Sequence, residues 1–88
     1  MNPQELLAFL RQNPKHREIL QRAIEVEEES TNGPEWLGWE WYQVRAYPAQ
    51  LVKLVVAGII KVNFKSQSST HYLIVDKEAA KKALRAAQ

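Results

Sequence analysis

The side chains able to do chemistry in this sequence are few and of one kind. His16 and His71 are the only imidazoles and cysteine is absent, which removes thiolate nucleophiles, disulfides and zinc ribbons together. Neither histidine comes with the carboxylate spacing of a metal cluster or the partners of a nucleophilic triad, and no glycine-rich phosphate loop is present. No catalytic residue, metal ligand or cofactor site is therefore expected, nor a small-molecule substrate. The remaining groups act by charge and hydrogen bonding. Gln50 and Lys53 are three apart and share a face if their segment is helical. Lys61, Asn63 and Lys65 alternate along a strand-like run that ends in Ser66, Gln67, Ser68 and Ser69. Ammonium, amide and hydroxyl donors in such rows suit a phosphate backbone, and a glutamine amide suits the two-point edge of adenine. Arg45 and Tyr47, just ahead of the helical segment, would anchor a phosphate at its entrance. The plainer alternatives are a lysine-bearing strand edge kept soluble, Arg45 paired with Glu40 or Glu35, and Tyr47 covering the core.

The charge balance favours a polyanion in one half only. Residues 1–44 carry four basic side chains against eight acidic ones, and residues 45–88 carry eight against two. The summed field of the second half is attractive to anions. Lys77, Lys81 and Arg85, at four-residue spacing, make a further basic stripe, expected to be the solvated face of a terminal helix. The acidic run Glu25, Glu27, Glu28 and Glu29 reads as a solvated helix end.

Elements must hold these groups in place. Asn2-Pro3 caps and starts a first helix with Leu6, Leu7, Phe9 and Leu10 on its apolar face, and Asn13-Pro14 stops it and starts a second, extending to about residue 29. Ser30-Thr31-Asn32-Gly33-Pro34 is a punctuating loop. Residues 35–47 fit helical and strand periods about equally, and a short helix over residues 37–44 is the expectation, weakened by Gly38. Pro48 opens a helix with Leu51, Leu54 and Val55 inward, and Gly58 ends it. Residues 60–65 alternate strictly, with Ile60, Val62 and Phe64 opposite Lys61, Asn63 and Lys65. Residues 66–69 form the turn, residues 70–75 the return strand, and Asp76 caps a final helix. Three tryptophans, Trp36, Trp39 and Trp41, are expected to cover helix junctions. Were one to stack on a base, Trp36 beside the loop is the candidate.

The run Leu51-Val52-Lys53-Leu54-Val55-Val56-Ala57-Gly58-Ile59-Ile60 resembles the recognition helix and exit of winged helix-turn-helix domains. The resemblance is strong over residues 35–76 and extends to residues 14–30 as the supporting helix. It implies an α+β fold, a small winged helix-turn-helix that is mostly helical, with a β-hairpin wing in the C-terminal half and extra terminal helices. One domain over residues 1–88 would comprise an accessory helix (1–13), the core (14–76) and a C-terminal helix (77–88). Residues 48–57 would then be the recognition helix and residues 60–75 the wing. Arg45, Tyr47, Gln50, Lys53, Lys61, Lys65, Ser66, Gln67, Ser68 and Ser69 would be the contacts to double-stranded DNA, in a transcription regulator or related protein. The competing reading is a winged-helix module for protein interaction or dimerisation, suggested by Val52 and Val56 on one side of that helix, within a larger nucleic-acid-processing or transcription assembly. No stretch of about eighteen apolar residues suggests a membrane span, and the first residues lack the basic flank and apolar run of a secretory signal. An intracellular protein, cytoplasmic, nucleoid-associated or nuclear, is the resulting expectation.

Overall fold

Local chemistry starts each helix. In the computed structural model, which describes residues 1–29 and 31–88, the side-chain oxygen of Asn2 accepts the Glu5 N–H at 2.8 Å and opens α1 (Pro3–Gln12). The Asn13 amide donates to the Phe9 carbonyl at 2.8 Å, which serves an acceptor that the end of α1 leaves without a helical partner. Pro14 then begins α2 (Pro14–Glu27), two residues shorter than its expected end at 29. Ser30, part of the expected loop, lies outside the described residues.

The segment expected to be a helix over residues 37–44 is not one. It holds only a 3-10 turn, Trp41–Gln43, and Trp39 instead forms an antiparallel bridge to Tyr72, with N–H to carbonyl distances of 3.0 and 2.8 Å. Gly38 permits this approach. Its φ is +119°, and a Cβ there would lie 2.3 Å from the Tyr72 carbonyl oxygen, so only glycine lets the two backbones close.

Helix α3 (Pro48–Val56) ends as expected at Gly58, whose φ is +78°. The Gly58 N–H donates to the Val55 carbonyl and the Ile59 N–H to the Leu54 carbonyl, at 3.0 and 3.1 Å. These paired bonds satisfy the last carbonyls and turn the chain sharply. Strands β1 (Ile60–Lys65) and β2 (Thr70–Ile74) follow as an antiparallel hairpin, and Asp76 caps α4 (Lys77–Ala87) by accepting the Ala79 N–H at 3.0 Å. The protein is therefore α+β, with four helices and a two-stranded sheet among the described residues.

One cluster of buried side chains joins every element. Leu6 and Leu10 of α1, Ile19, Leu20, Ala23 and Ile24 of α2, Leu51 and Leu54 of α3, Ile60 and Ile74 of the hairpin, and Ala80, Ala83 and Leu84 of α4 belong to it. Trp39 is wholly buried among them, stacked on Tyr72 with ring centroids 5.2 Å apart. Its indole N–H donates to Glu27 Oε2 at 2.9 Å, and the same oxygen accepts the Ile74 N–H at 2.8 Å. The C-terminal end of α2 is thereby tied to both the tryptophan segment and β2. The expectation of a fully solvated acidic run fails at Glu27.

Candidate nucleic-acid interface

The first turn of α3 separates two grooves. One, of about 260 Å³, lies against α2 and is lined by Lys15, Glu18, Ile19, Arg22, Arg45, Tyr47 and Gln50. The other, of about 290 Å³, lies against the hairpin tip and is lined by Glu40, Trp41, Pro48, Leu51, Tyr72 and residues 65–70. The first holds three cations against one carboxylate. Lys15 and Arg22 are seven residues apart on α2, two turns of one helix face, and Arg45 reaches the same groove from the loop ahead of α3. Arg45 has φ +54°, an uncommon left-handed conformation for a side-chain-bearing residue, and it turns the chain from the 3-10 turn into α3. Neither of the carboxylates considered for it in the sequence pairs with it; among the described residues the ion pairs are Lys81 with Glu28 and with Glu78.

The residues singled out from the sequence divide between these grooves and elsewhere. Arg45, Tyr47 and Gln50 line the first; Lys65, Ser66, Gln67, Ser68 and Ser69 line the second. Tyr47 is 75% exposed and does not cover the core. The Gln50 side-chain oxygen accepts the Tyr47 N–H at 2.8 Å and caps its own helix, so a two-point contact to adenine would require that bond to break. Lys53 donates to Asn13 Oδ1 at 2.8 Å, and its ammonium lies 5.8 Å from the centre of the Phe9 ring. It is exposed but drawn toward the junction of α1 and α2. His16, beside it, packs edge-on against Phe9 and its Nε2 is buried without a hydrogen-bond partner. Burial, and secondarily the Lys53 charge, hold the imidazole below its ordinary pKa.

The hairpin does not present Lys61, Asn63 and Lys65 on one face. Val62 pairs with Tyr72 but Phe64 pairs with His71, so Asn63 is an extra residue, a β-bulge. From that point the alternation reverses. Lys61, Phe64, His71 and Leu73 share the outer face, where the Phe64 and His71 rings lie 5.8 Å apart. Lys65 falls on the opposite face with Thr70 and Tyr72, toward the second groove. The Asn63 amide donates to the Leu37 carbonyl and His71 Nδ1 lies 2.9 Å from the Gly38 carbonyl oxygen, so the bulge and the tryptophan segment support each other. At the tip, Ser66 Oγ accepts the N–H groups of Ser68 and Ser69 at 3.3 and 3.1 Å and fixes the turn.

Sequence reasoning missed Lys15 and Arg22 as part of this surface, although their seven-residue spacing was a usable signal. The tryptophan singled out from the sequence as a stacking candidate is Trp36. Trp36 is partly buried against the core, whereas Trp41 is 52% exposed. The Trp41 and Tyr42 rings lie perpendicular, with centroids 5.8 Å apart. The Tyr42 hydroxyl donates to Glu40 at 2.8 Å, and that bond and the carboxylate charge raise the phenol's pKa.

Among the described residues no group of three or more metal-ligating side chains occurs, and no helix is long and apolar enough to cross a membrane. Comparison with protein-family models, with curated proteins and with solved structures finds no match for this chain.

Proposed function

We propose that the protein is a winged helix-turn-helix domain that binds double-stranded DNA without catalysis and with little sequence selectivity. The observation that carries this is the position of the α3 first turn between a cation-bearing groove on α2 (Lys15, Arg22, Arg45) and a hairpin tip with Lys65 and hydroxyl donors. A helix of this size fits the major groove, and cations on its two sides would meet the phosphate strands that border it. The chain order also supports the reading: a supporting helix, a single bridging residue beside the hairpin, a short turn, then a helix running straight into two antiparallel strands. Little selectivity is expected because the solvent face of α3 offers Ala49, Val52 and Val56, and Gln50 is held by its own helix. Lys53 would add one contact.

The test is duplex affinity measured by fluorescence anisotropy across a salt series. Each phosphate neutralised contributes about 0.9 to the slope of log affinity against log salt. Arg22→Ala, Arg45→Ala and Lys65→Ala should each weaken binding and flatten that slope by about one such increment. Lys82→Ala, exposed on α4 away from both grooves, should match the parent protein. Absence of binding at low salt, or equal losses for Lys82 and the groove cations, would overturn the proposal.

A protein-docking role is the second reading, favoured by Val52 and Val56 on α3, 59% and 81% exposed. The same salt series separates the two. Apolar docking through these valines would not weaken as counterions are added, whereas phosphate contacts must.

A further inference from the structure

The groove between α3 and the hairpin contains more than a phosphate contact needs. Its apolar wall is Trp41, with Pro48 and Tyr72, and half the surface of that indole lies open to solvent. A large aromatic left uncovered in a domain short of core volume stays exposed to water unless a ligand covers it. Tyr42 packs perpendicular to the ring at a centroid distance of 5.8 Å. Lys65, Ser66 and Glu40 line the groove as well, and one Glu40 carboxylate oxygen accepts the Tyr42 hydroxyl.

We infer that this groove is a stacking site for one unpaired nucleobase, at the end of a duplex or on a single-stranded tail next to it, with the base on Trp41 and its phosphate at Lys65. The inference rests on the nucleic-acid reading above and adds a second mode to it. Three features select a nucleotide. The indole offers a π-face, on which any base stacks. Lys65 in the groove lining would meet the phosphate. The Glu40 carboxylate would repel a phosphate placed beside it, while its oxygen not engaged by Tyr42 would accept an N–H from a base edge. A proline-rich peptide, the other ligand that favours aromatic grooves, brings no N–H at its prolines for Glu40. The volume, about 290 Å³, is at the lower limit of ordinary ligand pockets and suits a single ring system.

The experiment compares a blunt duplex with the same duplex carrying a single-stranded tail of about six nucleotides, by anisotropy and by tryptophan emission. The tailed duplex should bind about tenfold more tightly, the scale of one stacked base, and should quench emission, because Trp39 is wholly buried, Trp36 is partly buried against the core and Trp41 is 52% exposed. Trp41→Ala should remove both the tail's advantage over the blunt duplex and the quenching by the tail, and Trp41→Phe, which keeps a π-face but has no indole emission, should recover part of the advantage and none of the quenching. Circular dichroism checks that the variants fold. Equal affinity for tailed and blunt duplexes, a tail advantage that survives Trp41→Ala, or quenching produced by a polyproline peptide and not by the tail would each overturn the inference. Blunt duplex bound without a tail advantage leaves the duplex reading standing and removes the groove. A tail bound without blunt-duplex affinity does the reverse.

Discussion

Two polar side chains of α2, Glu27 and His16, have opposite fortunes at the edge of the core. Glu27 extends the Leu20–Ile24 row by three residues and so falls at the inner edge of its helix, where one carboxylate oxygen accepts two N–H groups. A charged acceptor with two donors is well served when partly buried. His16 has no such service: its Nε2 is enclosed without a partner, with Phe9 on one side and the Lys53 ammonium nearby. Protonating it in the folded state is disfavoured, so the folded pKa lies below the ordinary 6.5. The unfolded chain, with the ordinary value, takes up the proton first as pH falls. The contribution from His16 is thus fully present above about pH 6.5 and is lost progressively below it, until the folded protein also protonates. Urea unfolding of the parent protein should therefore show a lower midpoint at pH 5.5 than at 7.5, and His16→Leu should show a smaller drop. Parallel pH dependence in the two proteins would mean that the imidazole is not the group responsible.

At the scale of elements, the tryptophan segment decides how the interface is built, and Gly38 decides the segment. Its Cβ-free backbone lets Trp39 bridge to Tyr72, which sets the 3-10 turn and hence the position of Trp41 and Arg45. Gly38→Ala should cost at least about 2 kcal/mol in urea unfolding, since it adds backbone strain at positive φ to a clash with the Tyr72 carbonyl. Gly33→Ala, with nothing within 4 Å of the added carbon, should stay within about 0.5 kcal/mol of the parent. Similar values for the two variants would show that the bridge is not what requires glycine at 38. The same segment marks the boundary of what was legible in the sequence. Caps, proline starts, the Gly58 stop and the hairpin are local features, set by residues within a few positions of each other, and they were readable. The bridge at Trp39 and the bulge at Asn63 are fixed by partners 33 and 26 residues away, His71 with Gly38 and Asn63 with Leu37. Strict alternation over residues 60–65 therefore suggested one lysine face, although an inserted residue places Lys61 and Lys65 on opposite sides.

For the whole molecule, the question is whether the terminal helices are appendages, as a core of residues 14–76 would imply. Their packing argues that they are structural. α4 places Ala80, Ala83 and Leu84 in the same buried cluster as Leu6 and Leu10 of α1 and Ile24 of α2. Arg11 and Arg17, from α1 and α2, donate to the Ala86 and Ala87 carbonyls at 3.3 and 3.2 Å, serving acceptors that the end of α4 leaves free. Lys81 pairs with Glu28 at the end of α2, which gives part of the basic stripe on α4 a structural partner. A domain of 88 residues has a total stability of about 5–15 kcal/mol, and truncating one buried leucine costs about 2–5 kcal/mol. Leu84→Ala should therefore remove a large fraction of the stability by itself. A chain ending at Asp76 loses Ala80, Ala83 and Leu84 together, uncovers Leu6 and Leu10, and should show no cooperative thermal transition. Calorimetry of that shortened chain is the decisive measurement. A sharp, reversible transition near that of the full chain would make residues 1–76 self-sufficient and the α1–α4 packing dispensable.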